Sequence, residues 1–315
     1  MQTKGLRLFH SGILAKRVER AHDALSDCTL CPRNCRVNRL EGETGRCGTA
    51  EKAVIASYNP HFGEEQPLVG SHGSGTIFHS GCSLGCCFCQ NYDISHHPSA
   101  GSQVDAEHFA AIMLDLQSRG CHNINFVTPS HVVPQIMAAL ITAYENGLTL
   151  PLVYNSSGYD SIATLDLLDG VIDIYMPDFK FWENETGRKY ADAPDYPEVS
   201  QKAVREMHRQ VGDLQIDQDG VAQQGLLIRH LLMPGGLEET KAILGFIARN
   251  ISTDTYVNVM DQYRPCGTPD SFAELQSTIS HEHYSEALDH AQEVGLKRLD
   301  QRDLVSLLKR LGISY

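Results

Sequence analysis

Four cysteines fall within a stretch of eight residues, Cys82-Ser-Leu-Gly-Cys86-Cys-Phe-Cys89, and three of them, Cys82, Cys86 and Cys89, stand at the spacing C-x3-C-x2-C. Thiolates are soft ligands suited to iron-sulfur clusters, which usually take four of them. Three leave one iron open, and an open coordination position is where a metal does chemistry, as catalytic zinc differs from structural zinc. Gly81 and Gly85 let such a loop wrap closely around a bulky ligand. Reduced core cysteines are the alternative, and the tight spacing disfavours it. Cys87 falls outside the ligand spacing and reads as a small packed residue.

A second group precedes the first: Cys28-x2-Cys31-x3-Cys35-x11-Cys47, with Pro32 and Gly48 shaping the turns. Four thiolates form a closed tetrahedral set, which suits structural zinc or an additional 4Fe-4S cluster. A structural metal would fold this leader, whereas a cluster could relay electrons. Reduced cysteines or a redox switch are the competing readings. Seven of the ten cysteines lie in these two groups, so metal ligation explains them better than disulfides do. Cys121 and Cys266 read as structural, and His281 and His283 as solvated surface. Gly73 and Gly75 precede a strand, whereas a dinucleotide-binding fingerprint follows one.

The elements that must position these groups follow from periodicity. The chain has 315 residues, 42% hydrophobic and 21% charged, which is ordinary globular usage. Its formal net charge of -13 gives no general reason to expect nucleic-acid or anionic-membrane binding. Residues 1–25 carry no apolar run long enough for a signal peptide or membrane span, so a cytoplasmic location is expected. Leu14, Val18, Ala21 and Leu25 predict an amphipathic helix there. From residue 76 apolar strands alternate with amphipathic helices. Strands are predicted at 76–79, 124–127, 152–155, 172–176, 226–233 and 256–260. Helices are predicted at 105–119, 132–145, 162–168, 203–211 and 237–251, with a hairpin turn over Asp217 to Gly220. Six such repeats argue for parallel βα units whose functional loops lie at the strand carboxyl ends. The expected fold is α/β, a partial (β/α)6 TIM-like barrel with an amino-terminal Cys-rich metal-binding extension; a doubly wound open sheet is the other arrangement. Expected domains are 1–74, the amino-terminal helix and Cys-rich extension; 75–268, the core; and 269–315, a carboxy-terminal helical extension with two helices from Glu282 to Tyr315.

Cys82, Cys86 and Cys89 match the signature of the radical S-adenosylmethionine (radical SAM) superfamily. The stretch FHSGCSLGCCFCQNYDIS, from Phe78 to Ser95, resembles the relatives of pyruvate formate-lyase activating enzyme in particular. The likeness runs with weaker motifs from about Thr76 to Arg264. It implies a radical SAM core in which the open iron of a 4Fe-4S cluster binds the amino and carboxylate groups of S-adenosylmethionine. An electron from the reduced cluster then cleaves the sulfonium, and the 5′-deoxyadenosyl radical abstracts hydrogen from a substrate. The family places an aromatic beside the adenine where Phe88 stands.

The strand ends supply the other candidates. Val127-Thr-Pro-Ser-His131 stands where the family often has a Gly-Gly-Glu segment for the cofactor's amino group, a departure that leaves Thr128 and Ser130 to offer hydroxyls, with His131 beside them. Ser130 is also placed to cap the following helix. Tyr154-Asn-Ser-Ser-Gly158 is similar to the ribose-contacting segment and nominates Asn155, Ser156 and Ser157, with a plain turn as the alternative. Asp178 and Lys180 resemble the Asp-x-Lys segment of glycyl-radical activating enzymes, which lies beside the cofactor and is associated with a monovalent cation; an internal ion pair is the plainer account. Arg229 matches an arginine of the family and suits a carboxylate, while His230 must face the opposite way. Asp261 to Arg264 form a polar cluster after the last strand.

The resemblance implies an oxidoreductase acting on a protein, installing a glycyl radical on a large partner, with flavodoxin or ferredoxin as electron donor. Modification of a peptide or small molecule is the second expectation, and a non-enzymatic iron-sulfur carrier or sensor the third. Neither nucleic acid nor membrane is expected as a partner.

Overall fold

Short β-branched runs separated by amphipathic stretches fold as strands crossing over through helices, and a computed structural model describes residues 3–268 and 272–300 of the result. Two helices, α1 (Lys4–His10) and α2 (Ile13–Asp23), stand where one is predicted. Gly12 separates them at φ 73°, a left-handed conformation that cannot continue a right-handed helix. After the cysteine-rich leader come β1 (Ala53–His61), the short α3 (Gln66–Val69) and β2 (Ser74–His79). The segment α4 (Tyr92–Ser95), β3 (Ser102–Val104) and α5 (Ala106–Ser118) leads to β4 (Ile124–Val127). Next are α6 (Val133–Glu145), β5 (Leu152–Ser156), α7 (Ile162–Leu168) and β6 (Ile174–Pro177). A longer crossover, α8 (Asn184–Ala191), α9 (Tyr196–Val211) and β7 (Gln215–Ile216), precedes β8 (Ala222–Leu231). The described chain finishes with α10 (Leu237–Asn250), β9 (Tyr256–Met260), α11 (His281–Glu293) and β10 (Arg298–Leu299).

All ten strands among the described residues join one sheet in the order β10-β9-β8-β6-β5-β4-β2-β1-β3, with β7 paired to β8. From β2 to β10 every neighbour along this path is parallel. The path does not close. β1 pairs antiparallel with both β2 and β3, so the sheet runs continuously across residue 75, where the composition changes. The β7–β8 hairpin lies where expected, its turn fixed by Asp217 Oδ1 accepting from the Asp219 and Val221 N–H groups, each at 2.9 Å. Of the two tail helices expected after residue 282, α11 forms and residues 301–315 lie outside the described residues.

The sheet is buried on both faces. Phe126, Tyr154, Tyr175 and Ile228 pack with the apolar sides of α5, α6, α9 and α10 on one face. Their neighbours Val153, Ile174, Met176 and Leu227 point the other way, against Leu68 of α3. That second, inner face is thus covered by the β1–β2 connection rather than by crossover helices. Side-chain caps start several helices: Asp105 accepts from His108 N–H at 2.9 Å for α5, and Ser161 from Thr164 N–H at 3.2 Å for α7. Among the described residues no helix is long and apolar enough to cross a membrane.

Leu68 is 0% exposed. Leu68→Ala is therefore expected to cost about 2–5 kcal/mol, read as a lower urea midpoint; an unchanged midpoint would show that α3 does not seal the inner face. Asp173 gives a pH signature. Burial raises its carboxyl from 3.8 to about 6, although Leu152 N–H and Lys4 N–H donate to it at 3.0 and 3.3 Å. Across that interval the folded chain keeps a proton that the unfolded chain releases, so the group favours folding at low pH and this is lost as pH rises through about 6. Asp173→Asn should accordingly gain stability relative to the parent chain between about pH 4 and pH 7 in paired urea titrations.

Candidate functional site

Parallel strands share one carboxyl edge, and at that edge lies a cavity of about 350 Å³. Its lining comes from every parallel strand end from β2 to β9. Inner-face positions Phe78, Val127, Asn155, Asp178, Arg229, Leu231 and Met260 all contribute, as alternation along each strand dictates. Cys82, Cys86 and Cys89 line the same cavity from the loop after β2.

That loop is held from several sides. Gly81 has φ 81°, and a Cβ there would stand 2.3 Å from the Cys47 carbonyl oxygen, so glycine alone lets the leader approach so closely. Leu84 N–H donates to Cys82 Sγ at 3.4 Å, and the Ser95 hydroxyl to Cys89 Sγ at 3.2 Å. Burial pushes the Cys82 and Cys86 thiols up; backbone N–H groups oppose it at Cys82 and the Lys180 charge opposes it at Cys86. A metal is what converts such buried thiols to thiolates. Cys87 does not line the cavity; its N–H donates to the Tyr190 carbonyl at 2.9 Å. Phe88 lines it and packs edge-on against Phe181, Tyr190 and Tyr263.

The strand-end candidates separate into two groups. Thr128, Asn155, Ser156, Ser157, Asp178, Lys180 and Arg229 line the cavity; Ser130 does not. Thr128 sits at φ 59°, an outlying conformation for a β-branched residue, with its N–H donating to the Asn155 carbonyl at 2.9 Å. Strain of this kind concentrates at functional sites. Ser130 is buried behind the cavity wall and donates to Asp160 Oδ1 at 2.6 Å; it makes no cap to α6, whose N-cap position is Val132. Tyr154 and Ser156 donate to the same carboxylate at 2.9 and 2.6 Å. Asp160 thus binds the ends of β4 and β5 together from behind. Burial raises its carboxyl while the three hydroxyls pull it back. His131 is also turned away, with Nε2 against the Ser80 carbonyl at 3.0 Å.

At the centre of the cavity wall Arg229 donates through Nε to Asp178 Oδ1 at 2.7 Å and through Nη2 to Asn155 Oδ1 at 2.8 Å, with Nη1 3.5 Å from Glu64. Lys180 Nζ reaches Asp178 Oδ2 at 2.5 Å. Burial would raise the Asp178 carboxyl, but the Arg229 and Lys180 charges outweigh it and hold the group below its usual range. The Tyr196 hydroxyl fixes the turn, lying 2.8 Å from the Ser157 carbonyl and 2.9 Å from that of Asp178 while accepting from Lys180 N–H at 2.8 Å. Gly158 permits this approach: a Cβ there would stand 2.3 Å from the Asp178 carbonyl oxygen. His230 faces the other way, between the Phe179 carbonyl and Thr240.

Glu64, Glu65 and Asp160 escaped the sequence reading. The two glutamates come from the β1–α3 turn, and Asn258 Nδ2 donates to Glu65 Oε1 at 2.8 Å. No motif marks a turn that reaches across a sheet. Asp160 had a signal, a carboxylate soon after a strand end beside Gly158. Asp261 to Arg264 contribute Gln262 to the lining.

Cys28, Cys31, Cys35 and Cys47 gather around a separate void of about 10 Å³. Burial pushes the Cys31 thiol up to about 12. Among the described residues no three His, Cys, Asp or Glu side chains stand close enough to grip a single ion. A cubane is bulkier and holds its thiolates farther apart. Arg33, two residues beyond Cys31, donates to the carbonyls of Ser83 and Leu84 at 2.9 Å each, and to those of Ala191 at 2.8 Å and Asp192. One guanidinium fastens the leader to the loop between Cys82 and Cys86.

These features define a mixed α/β protein with a mostly parallel open sheet and a charged cavity at its strand ends. No family model matches the chain. It is 32% identical over 291 residues to the uncharacterized protein MJ0674 of Methanocaldococcus jannaschii, an alignment covering 90% of this chain and 80% of that protein. The chain belongs to the same family as that archaeal protein.

Replacing Arg229 by Met deprives Asp178 of one of its two cationic partners in a largely buried site. The expected loss is about 3 kcal/mol, with partial recovery in Arg229→Lys; equal urea midpoints for all three chains would contradict the network.

Proposed function

We propose that this protein is a cytoplasmic radical SAM enzyme whose parallel strands β2, β4, β5, β6, β8 and β9 are those of a partial (β/α)6 barrel. The observation that carries the reading is convergence: the three cysteines at C-x3-C-x2-C spacing line one cavity with the charged and polar residues of the strand ends. Cys82, Cys86 and Cys89 would hold a 4Fe-4S cluster, which would supply the one-electron reducing chemistry for cleavage of S-adenosylmethionine.

The chain's own residues have distinct tasks. Leu84 N–H and the Ser95 hydroxyl donate to two of the ligand sulfurs and orient them. Lys180, coupled electrostatically to Cys86, presents a cation for the carboxylate of an amino-acid ligand. Asp178 and Glu64 balance the cationic groups, so the wall suits a zwitterion, and a monovalent cation would be drawn to the same carboxylates. Thr128 offers a hydroxyl beside it; Asn155, Ser156 and Ser157 form the polar rim for a ribose, and Phe88 an apolar wall for a base. Ser130 supports the site only through Asp160.

The substrate is a protein, peptide or small molecule. A glycyl-radical partner is the reading that the resemblance supports. A specific feature favours a smaller group: a second cavity of about 250 Å³ adjoins the first through Lys180 and Leu231. Both of its carboxylates are committed to the wall, Glu239 accepting from Trp182 and Glu183 N–H groups at 2.7 and 2.9 Å and Glu274 from the Tyr190 hydroxyl at 2.7 Å. A small reducing protein of the flavodoxin or ferredoxin kind is the proposed electron source.

The test is anaerobic loading with iron and sulfide, reduction, and addition of S-adenosylmethionine. Release of 5′-deoxyadenosine is expected, and Cys86→Ala should lower it by more than about 100-fold while leaving the circular dichroism spectrum intact. A spectral change without cleavage would mark an electron carrier instead.

A further inference from the structure

One hydroxyl stands between a cysteine of the cavity and an imidazole, and it has a single hydrogen to give. Ser95, the last residue of α4, is 9% exposed, and its Oγ lies 3.2 Å from Cys89 Sγ and 3.0 Å from His96 Nδ1. Both partners are within hydrogen-bonding reach. A hydroxyl donates once, so it serves the sulfur and the ring nitrogen only in turn.

Which partner it serves depends on the imidazole. Tyr92 stacks on the His96 ring, with centroids 4.1 Å apart and planes 15° from parallel, and this fixes the tilt of the ring. Nε2 then faces the cysteine loop: a Cβ on Gly85 would stand 3.9 Å from it. Burial holds the His96 ring below its usual value; the charges of Arg46 and His97 act the same way, and a hydrogen bond to the Gly85 carbonyl opposes them. A neutral imidazole has one N–H, and the Gly85 carbonyl draws it to Nε2. Nδ1 is left as an acceptor, in competition with Cys89 for the Ser95 hydrogen.

The competition bears on a cluster held by Cys82, Cys86 and Cys89, for which the cavity of about 350 Å³ has room. Hydrogen bonds to the sulfurs are among the features that set the reduction potential of such a cluster. Reduction adds negative charge, so a donor at Cys89 favours the reduced state and a competitor for that donor disfavours it. Resting on the radical SAM reading, we propose that His96 is a positioning residue that draws the Ser95 hydroxyl away from Cys89 and so lowers the potential of the cluster. His96 does not line the cavity and acts through Ser95. No proton or electron passes to it; only a hydrogen bond is redirected. Cleaving a sulfonium takes a strong reductant, so a lower potential serves the reaction.

The experiment is a redox titration of the full chain loaded anaerobically with iron and sulfide. It follows the electron paramagnetic resonance signal that changes on adding S-adenosylmethionine, which marks the cluster with the open iron. The parent chain, His96→Phe, Ser95→Ala and the double variant are compared. Phenylalanine keeps an aromatic ring against Tyr92 and removes Nδ1. His96→Phe should raise the potential, moving the equilibrium toward the reduced cluster by about 10-fold, or ~59 mV for a one-electron couple. Ser95→Ala should lower it, and adding His96→Phe to Ser95→Ala should change nothing further. Should His96→Phe lose iron, His96→Leu also lacks the acceptor and carries the same expectation. An unchanged or lowered potential without Nδ1 overturns the proposal, as does an equal shift in the Ser95→Ala background, the result of a merely structural role. If all four chains hold the cluster and cleave the cofactor while their potentials coincide, this proposal alone fails. If the parent chain takes up no cluster, the radical SAM reading falls and this proposal with it.

Discussion

Parallel strands in register all end on the same side, and the placement of every polar group in the cavity depends on that constraint. Because side chains alternate, the residues that point inward next to a strand's end decide what its loop can present. Asn155, Asp178 and Arg229 are such positions on three neighbouring strands, and they meet without any of them being close in sequence. Deeper along the same inner face the positions are apolar, Val153, Ile174 and Leu227, and Leu68 closes them off. Apolar depth and polar rim are one alternating pattern.

The charges at the rim hold one another in place. Asp178 accepts from both Lys180 and Arg229, so neither cation is free to swing toward solvent and both remain beside the cavity. Taking these charges out of water is costly, and the hydrogen bonds to Asn155 and the Tyr196-braced backbone limit that cost. Thr128 and Asp160 express the same economy of rigidity, one through a strained backbone at the rim and the other through three hydroxyls behind it.

Much of the α/β alternation was legible because it rests on local periodicity. The strands at Ile124–Val127 and Tyr256–Met260 and the helix at Ile162–Leu168 fall where apolar spacing puts them. The antiparallel β1 was missed, since it lies among polar and cysteine-rich residues and owes its form to pairing with β2 and β3. The stripe of Leu14, Val18 and Ala21 lies in α2, and the left-handed Gly12 separates that helix from α1. Spacing brought the candidates of the strand ends to one place, apart from Ser130, whose partner is set by a fold-level contact with Asp160, and His131, which turns to the Ser80 carbonyl. Glu64 and Glu65 were invisible for the same reason: a short turn crosses the sheet, and nothing in its sequence announces where it lands.

The clasp made by Arg33 has a mechanical consequence. A single side chain holds carbonyl oxygens from two separate segments, one between Cys82 and Cys86 and the other at the end of α8. With Gly81 pressed against the backbone at Cys47, the two cysteine-bearing regions form one rigid body rather than a module and its attachment. A leader exchanged for that of a relative would have to travel with its matching loop.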